Sequence, residues 1–222
     1  MREELQPEHP SFFRGFEFGR GRAKTQRHLP QWKQVNATYF VTARLMDSLP
    51  IHILNQWKEK KALWLTQNPK PWSAMQQRYY KLNFPEKMER WLDQGMGDCL
   101  LKVQANREFL IQSLRFRDGI DYFLGDWVIM PNHVHLLLRP FGDASLSNIL
   151  QALKGVSAHR INKALGRTGS LWMEESFTHI VRNYEKLKQA SDYIQQNPIK
   201  AKLSSEHYCL GQGQASWFAG DR

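Results

Sequence analysis

Cysteine is scarce. Two residues, Cys99 and Cys209, in a chain of 222 exclude a disulfide framework and a cysteine-built zinc cage, and suit a reducing compartment. Long apolar runs are missing too: no stretch approaches the roughly 18 residues that span a bilayer, and no apolar N-terminal segment resembles a signal peptide. A membrane partner is therefore not expected. There is no glycine-rich phosphate cradle, internal repeat or long low-complexity tract, so an ATP-driven reaction has no visible seat. Acidic residues are under-represented as well. Thirty-one Lys and Arg face 21 Asp and Glu, a net charge of +10 with a sequence pI near 9.7, which favours an anionic partner, nucleic acid or an acidic surface.

What is present suits one globular domain with extensions, since 41% of residues are apolar and 23% charged. Residues 1–34 carry Arg14, Arg20, Arg22, Lys24, Arg27, His28 and Lys33 with interspersed glycines and no periodicity, and read as an extended basic N-terminal arm. Ala37 to Arg44 reads as a first strand, rich in β-branched and aromatic residues. A helix follows, with Ser48 as its expected cap and Pro50 in its first turn. Residues 68–97 combine three prolines with Trp72, Tyr79, Tyr80, Phe84 and Trp91, and read as a helical insertion whose aromatics either pack together or stack on bases. A helix over 105–117 leads into strands over 120–129 and 133–139, expected as an antiparallel pair. An amphipathic helix spans 145–165, with Lys154, His159, Arg160 and Lys163 on its polar face and Gly166 just past its end. A short strand over 177–182 and a last helix from Tyr184 to Gln196, stopping before Pro198, complete a domain over 35–203; residues 204–222 are left as a tail. This order predicts an α+β fold, an antiparallel sheet with helices packed mainly on one face.

The most informative stretch is Trp127-Val-Ile-Met-Pro-Asn-His-Val-His-Leu-Leu-Leu-Arg139. Side chains alternate along a strand, so His133 and His135 project from one face together with Leu137 and Arg139. Two adjacent imidazoles are half of a metal site, although the same pair also occurs as two structural histidines. In the last helix, Leu187, Ala190 and Ile194 form the buried stripe, and Tyr193 and Asn197 share its flank at i and i+4. A divalent cation held by His133, His135 and the Asn197 amide keeps open positions and polarises a phosphodiester oxygen; a nearby tyrosine hydroxyl then attacks phosphorus. Such a linkage conserves the phosphodiester energy and needs no ATP.

Three segments carry a family resemblance: Met130-Pro-Asn-His-Val-His-Leu-Leu-Leu138; Gly169-Ser-Leu-Trp-Met-Glu-Glu-Ser-Phe177 with His179-Ile-Val-Arg182; and Tyr193-Ile-Gln-Gln-Asn-Pro-Ile-Lys-Ala201. Together with Leu29-Pro-Gln-Trp32, Thr38-Tyr-Phe-Val-Thr42 and Asp47-Ser-Leu-Pro50 they resemble the REP-associated tyrosine transposases of the single-tyrosine HUH superfamily, in the same order over about residues 29–203. The resemblance implies a ferredoxin-like or RRM-like domain that binds hairpin-containing or palindromic single-stranded DNA and cleaves one strand, leaving a 5′-phosphotyrosine adduct and a free 3′-OH. By position, His133 and His135 match the metal pair for Mg²⁺ or Mn²⁺ and Tyr193 the nucleophile. Asn197 falls where relatives often carry Gln. Arg20, Arg22, Lys24, Arg27, Arg139, Lys154 and Arg182 are the expected DNA contacts. The setting implied is cytoplasmic and nucleoid-associated, as monomer or homodimer. The competing reading is a non-cleaving, hairpin-binding regulatory protein; a small-substrate metal hydrolase lacks its further ligands.

Overall fold

The computed structural model describes residues 13–16, 23–25, 31–34, 36–215 and 217. Two short antiparallel strands, β1 (Ala23–Thr25) and β2 (Gln31–Lys33), stand where an arm without regular structure is expected. After them come β3 (Tyr39–Arg44), α1 (Ile51–Gln67), α2 (Ala74–Asn83), α3 (Pro85–Asp93), a 3-10 turn at Leu100–Lys102, α4 (Gln104–Phe116), β4 (Tyr122–Ile129), β5 (His133–Pro140), α5 (Leu146–Leu165), β6 (Phe177–Ile180), α6 (Tyr184–Lys200) and β7 (Cys209–Gln212).

The main sheet is antiparallel throughout, in the order β6-β3-β5-β4-β7. Leaving out β7, the strands across the sheet are the fourth, first, third and second in chain order, which is the ferredoxin-like arrangement, with α4 and α5 as its two crossover helices. The structure is therefore the expected α+β layer. Residues 209–212, expected in a tail, add the fifth strand along the free edge of β4. Period-2 alternation divides the sheet between two cores. Val41, Ala43, Val134, Leu136 and Leu138 join Leu110, Leu114, Ile149, Leu150 and Leu153 of α4 and α5, while Phe40, Val128, Met130 and Leu137 join Leu187 and Ile194 of α6 on the opposite face. So α6 crosses the face that carries the histidines. It is pinned there by a hydrogen bond from Ser191 Oγ to Asp126 Oδ2, at the point where the β4–β5 register slips between Leu124 and Trp127.

Local signals account for most boundaries. Ser145 accepts from the Asn148 amide at the start of α5, and Gly166 closes it with φ 61°, a left-handed conformation that favours glycine. Ser73 and Gln76 form a capping box at α2, and Pro85 opens α3. Two expectations fail. Pro50, not Ser48, caps α1; the Ser48 hydroxyl instead donates to the Leu45 carbonyl at 2.7 Å and accepts from Arg44 Nη1 at 3.0 Å. And α6 continues through Pro198 to Lys200, because a proline's φ fits a helix and its missing N–H costs one bond, while the Ala201 amide still reaches the Asn197 carbonyl at 3.0 Å.

The insertion is helical, as expected, and its aromatics pack on each other. Trp72 lies 4.7 Å from Tyr80 and 5.0 Å from Trp64 between ring centroids, and Tyr80 lies 5.2 Å from Phe84. No helix among the described residues is long and apolar enough to cross a membrane.

Candidate active site

The β3–β5 register sets Thr42 against His135 and Arg44 against His133. Residues paired across neighbouring antiparallel strands project to one face, so these four side chains emerge together. Both imidazoles are fully buried, with ring centroids 4.7 Å apart. Each has its Nδ1 occupied. Asn132 Oδ1 accepts from His133 Nδ1 at 2.8 Å, with the Asn132 amide held the right way round by its donation to the Met96 carbonyl at 3.0 Å; Thr42 Oγ1 meets His135 Nδ1 at 2.8 Å. The two Nε2 atoms are left buried without a hydrogen-bond partner. Burial pushes the His133 imidazolium down to about 3, and burial together with His133 pushes His135 well below its usual range. Both rings are thus neutral lone-pair donors near pH 7, the state in which imidazole ligates a metal.

A carboxylate completes the cluster. Glu89 of α3 places an oxygen 3.4 Å from His135 Nε2, and the ligand atoms of Glu89, His133 and His135 all lie within 4.8 Å of one another. Burial pushes the Glu89 carboxyl up to about 7, Tyr193 pulls it down, and Asp93 pushes it up. The third expected ligand, Asn197, is buried with its Oδ1 unpartnered. The two orphaned nitrogens and the carboxylate are a donor set suited to a hard or borderline divalent cation.

Tyr193 stands beside this cluster. Its hydroxyl donates to Glu89 Oε2 at 2.7 Å, and its ring meets His135 edge-on at 5.2 Å and Phe40 at 5.7 Å. Burial foremost, then Glu89, pushes the phenol pKa upward, while interaction with the Asn197 amide pulls it down. The residues expected on one helix flank are thus together, and the histidine strand runs beneath them.

Glu89, Thr42 and Asn132 were missed by sequence reasoning. Asn132 adjoins His133 and could have been found by asking what orients the ring; Glu89 sits in a segment with no spacing relation to the histidines. If His135 is a metal ligand, loss of the Thr42 hydroxyl is expected to weaken Mn²⁺ binding about tenfold in Thr42→Val, because the ring loses the group that fixes it. Isothermal titration of the metal into the variant measures this; unaltered affinity would show that the hydroxyl does not orient the ligand.

The expected DNA contacts scatter. Arg139 is 3% exposed with its guanidinium 5.5 Å over the Phe123 ring, so it belongs to the interior and not to the surface expected of it. Lys154 Nζ donates to the Met173 and Glu174 carbonyls at 3.0 and 2.6 Å, and Arg182 is exposed at the end of β6. Arg20, Arg22 and Arg27 lie outside the described residues, and of Lys24 only the backbone in β1 is described. A cleft of about 600 Å³ opens between the insertion and the sheet, lined among others by Thr42, Arg44, Trp57, Lys61, Glu89 and Lys154. Lys61 is buried there with Nζ 4.6 Å from the Trp57 ring centroid.

Comparison with known proteins bears on the same residues. No curated protein matches the chain. Among solved structures, it is similar to a REP-associated tyrosine transposase bound to a REP hairpin, at 18% identity and a TM-score of 0.40 over 83% of this chain and 73% of that one. It is also similar to a candidate transposase from Deinococcus radiodurans R1, at 17% identity and a TM-score of 0.31 over 74% and 93%. Residues 110–197 match the family model described as Transposase IS200 like, a span that holds His133, His135, Tyr193 and Asn197 and excludes Glu89. The transposase resemblance read from the sequence is thereby borne out, and over residues 110–197 this chain matches the IS200-like transposases.

Proposed function

We propose that the protein is a metal-dependent transposase that cleaves and rejoins hairpin-containing, REP-like single-stranded DNA through a 5′-phosphotyrosine on Tyr193. The observation that carries this reading is the contact of the Tyr193 hydroxyl with Glu89 beside His135, whose Nε2 is buried and without a hydrogen-bond partner. His133, His135 and Glu89, with Asn197 as a further donor, would hold Mg²⁺ or Mn²⁺, which supplies Lewis-acid polarisation of a phosphoryl oxygen. Tyr193 is the nucleophile. Its oxygen bonds to phosphorus, the phosphorus–O3′ bond breaks, and the phenolic proton passes along the existing hydrogen bond to Glu89. The departing 3′-oxygen takes a proton from solvent and becomes a free 3′-OH, while Glu89 releases the phenolic proton to solvent, so no net proton is gained or lost. Reversal by that or another 3′-OH restores a phosphodiester, so the strand is rejoined or transferred without ATP. The basic composition suits a polyanionic substrate.

The test is a hairpin oligonucleotide labelled at its 3′ end, incubated with protein and Mn²⁺ and resolved under denaturing conditions. Label travelling with the protein, and a phosphopeptide mass at Tyr193, is the expected result. Hairpin binding without adduct or cleavage at any Mn²⁺ concentration would favour the non-cleaving regulatory reading instead.

A further inference from the structure

Arg44 stands two residue pairs beyond Thr42 and His135, directly across from His133, and it lines the same cleft as Thr42 and Glu89. The guanidinium is partly buried, yet among the described residues no carboxylate lies at ion-pair distance from it. Its side-chain hydrogen bond goes to Ser48 Oγ at 3.0 Å. Ser48 is itself buried and anchored on the Leu45 carbonyl. That arrangement holds the arginine in one orientation while occupying one of its five N–H donors. A charge taken out of water without a counter-ion is costly, and a residue kept in that state beside two imidazoles whose Nε2 atoms have no hydrogen-bond partner invites an anion. Planar, bidentate acceptance from a guanidinium is the property of carboxylates and phosphates, and the chain is strongly basic.

We propose that Arg44 is the phosphate-binding residue of this site: its guanidinium donates to the nonbridging oxygens of the scissile phosphodiester as the strand crosses the inner end of the cleft. The assignment of the anion as DNA rests on the proposed function. With the phosphate so held, Tyr193 approaches from α6 on the same face of the sheet. Charge that grows on the nonbridging oxygens as the tyrosine–phosphorus bond forms meets a donor already in place. The residue lies outside the segment that matches the transposase family, on the strand that supplies Thr42.

The test uses the full chain and needs no cleavage. Binding of a fluorescein-labelled oligothymidine is followed by anisotropy across a salt titration, in a Tyr193→Phe background. Arg44→Gln is expected to weaken binding about tenfold at low salt and to flatten the log–log salt dependence by about one phosphate contact. Arg44→Lys keeps the slope and loses part of the affinity, since a point charge replaces the fork. Both variants should bind Mn²⁺ as the parent does. An unaltered slope and affinity in Arg44→Gln would overturn the proposal. Should Arg44→Gln fail to fold, phenylglyoxal footprinting of the native protein decides: Arg44 protected by the oligonucleotide supports the assignment, and equal modification with and without DNA overturns it. Failure of the tyrosine reading shows elsewhere, as cleavage that survives Tyr193→Phe, and leaves these binding readouts standing.

Discussion

On the proposed function, Tyr193→Phe is expected to lower hairpin cleavage by roughly a thousandfold or more, with binding of the same hairpin close to native. The substitution keeps the ring that packs against Phe40 at 5.7 Å and His135 at 5.2 Å, and deletes only the oxygen that donates to Glu89 at 2.7 Å. The cost in stability is therefore small, about 1 kcal/mol for one lost hydrogen bond to a carboxyl group that retains partial solvent access. The cost in rate is large because, among the described residues, no other tyrosine hydroxyl is placed beside the imidazole pair. Single-turnover cleavage with Mn²⁺ measures the effect, and rates within tenfold of the parent would remove Tyr193 from the reaction.

Glu89→Gln has two expected effects of opposite sign. Without metal, a carboxyl whose folded pKa is pushed up to about 7 from an ordinary 4.5 binds its proton more tightly in the folded state. Its contribution to stability is fully present below the unfolded value and is lost as pH rises through about 7. At pH 8 the native protein has given up about 3 kcal/mol in this way, since each tenfold difference in proton affinity between the folded and unfolded chains is worth about 1.4 kcal/mol. Asp93, one turn on in α3 and pushed up to about 6 by burial, steepens the same decline. The neutral amide escapes it, so metal-free Glu89→Gln unfolds at higher temperature than the native chain at pH 8 and at nearly the same temperature at pH 4. With Mn²⁺ the order inverts. The native carboxylate gains a counter-charge and the variant does not, and affinity falls about a hundredfold with the loss of an anionic ligand. Thermal denaturation at both pH values, with and without Mn²⁺, measures all four states; an Mn²⁺-induced shift in the variant equal to that of the native protein would exclude Glu89 from the metal site.

Legibility in the sequence follows the range of the interaction that decides each feature. Period-2 alternation placed His133 and His135 on one face because strand geometry is local, and 100° per residue placed Leu187, Ala190 and Ile194 on one stripe with Tyr193 and Asn197 beside it for the same reason. Element boundaries were less legible where two local signals compete. Ser48 has the chemistry of a cap, but Arg44 and the Leu45 carbonyl claim its hydroxyl. Pro198 signals a helix end, but a buried position in α6 repays its missing N–H. Arg139 reads as a cation available to DNA, and its placement among Phe123 and the interior of the sheet depends on what β4 and α6 bring to that face.

The sequence by itself determined that two imidazoles share a strand face, that a tyrosine and an amide share a helix flank, and that the chain's charge favours an anionic partner. Periodicity and net charge are properties of neighbouring residues and of composition, and need no tertiary contact to be read. Only the tertiary structure decided that α6 crosses the histidine face, that β7 closes the sheet edge, and that the insertion carries Glu89 to within 3.4 Å of His135. Those are matters of which apolar surfaces meet. Glu89 lies 44 residues before His133 in the chain, on a helix whose position is set by side-chain packing, and no spacing rule connects two groups joined only by the core between them.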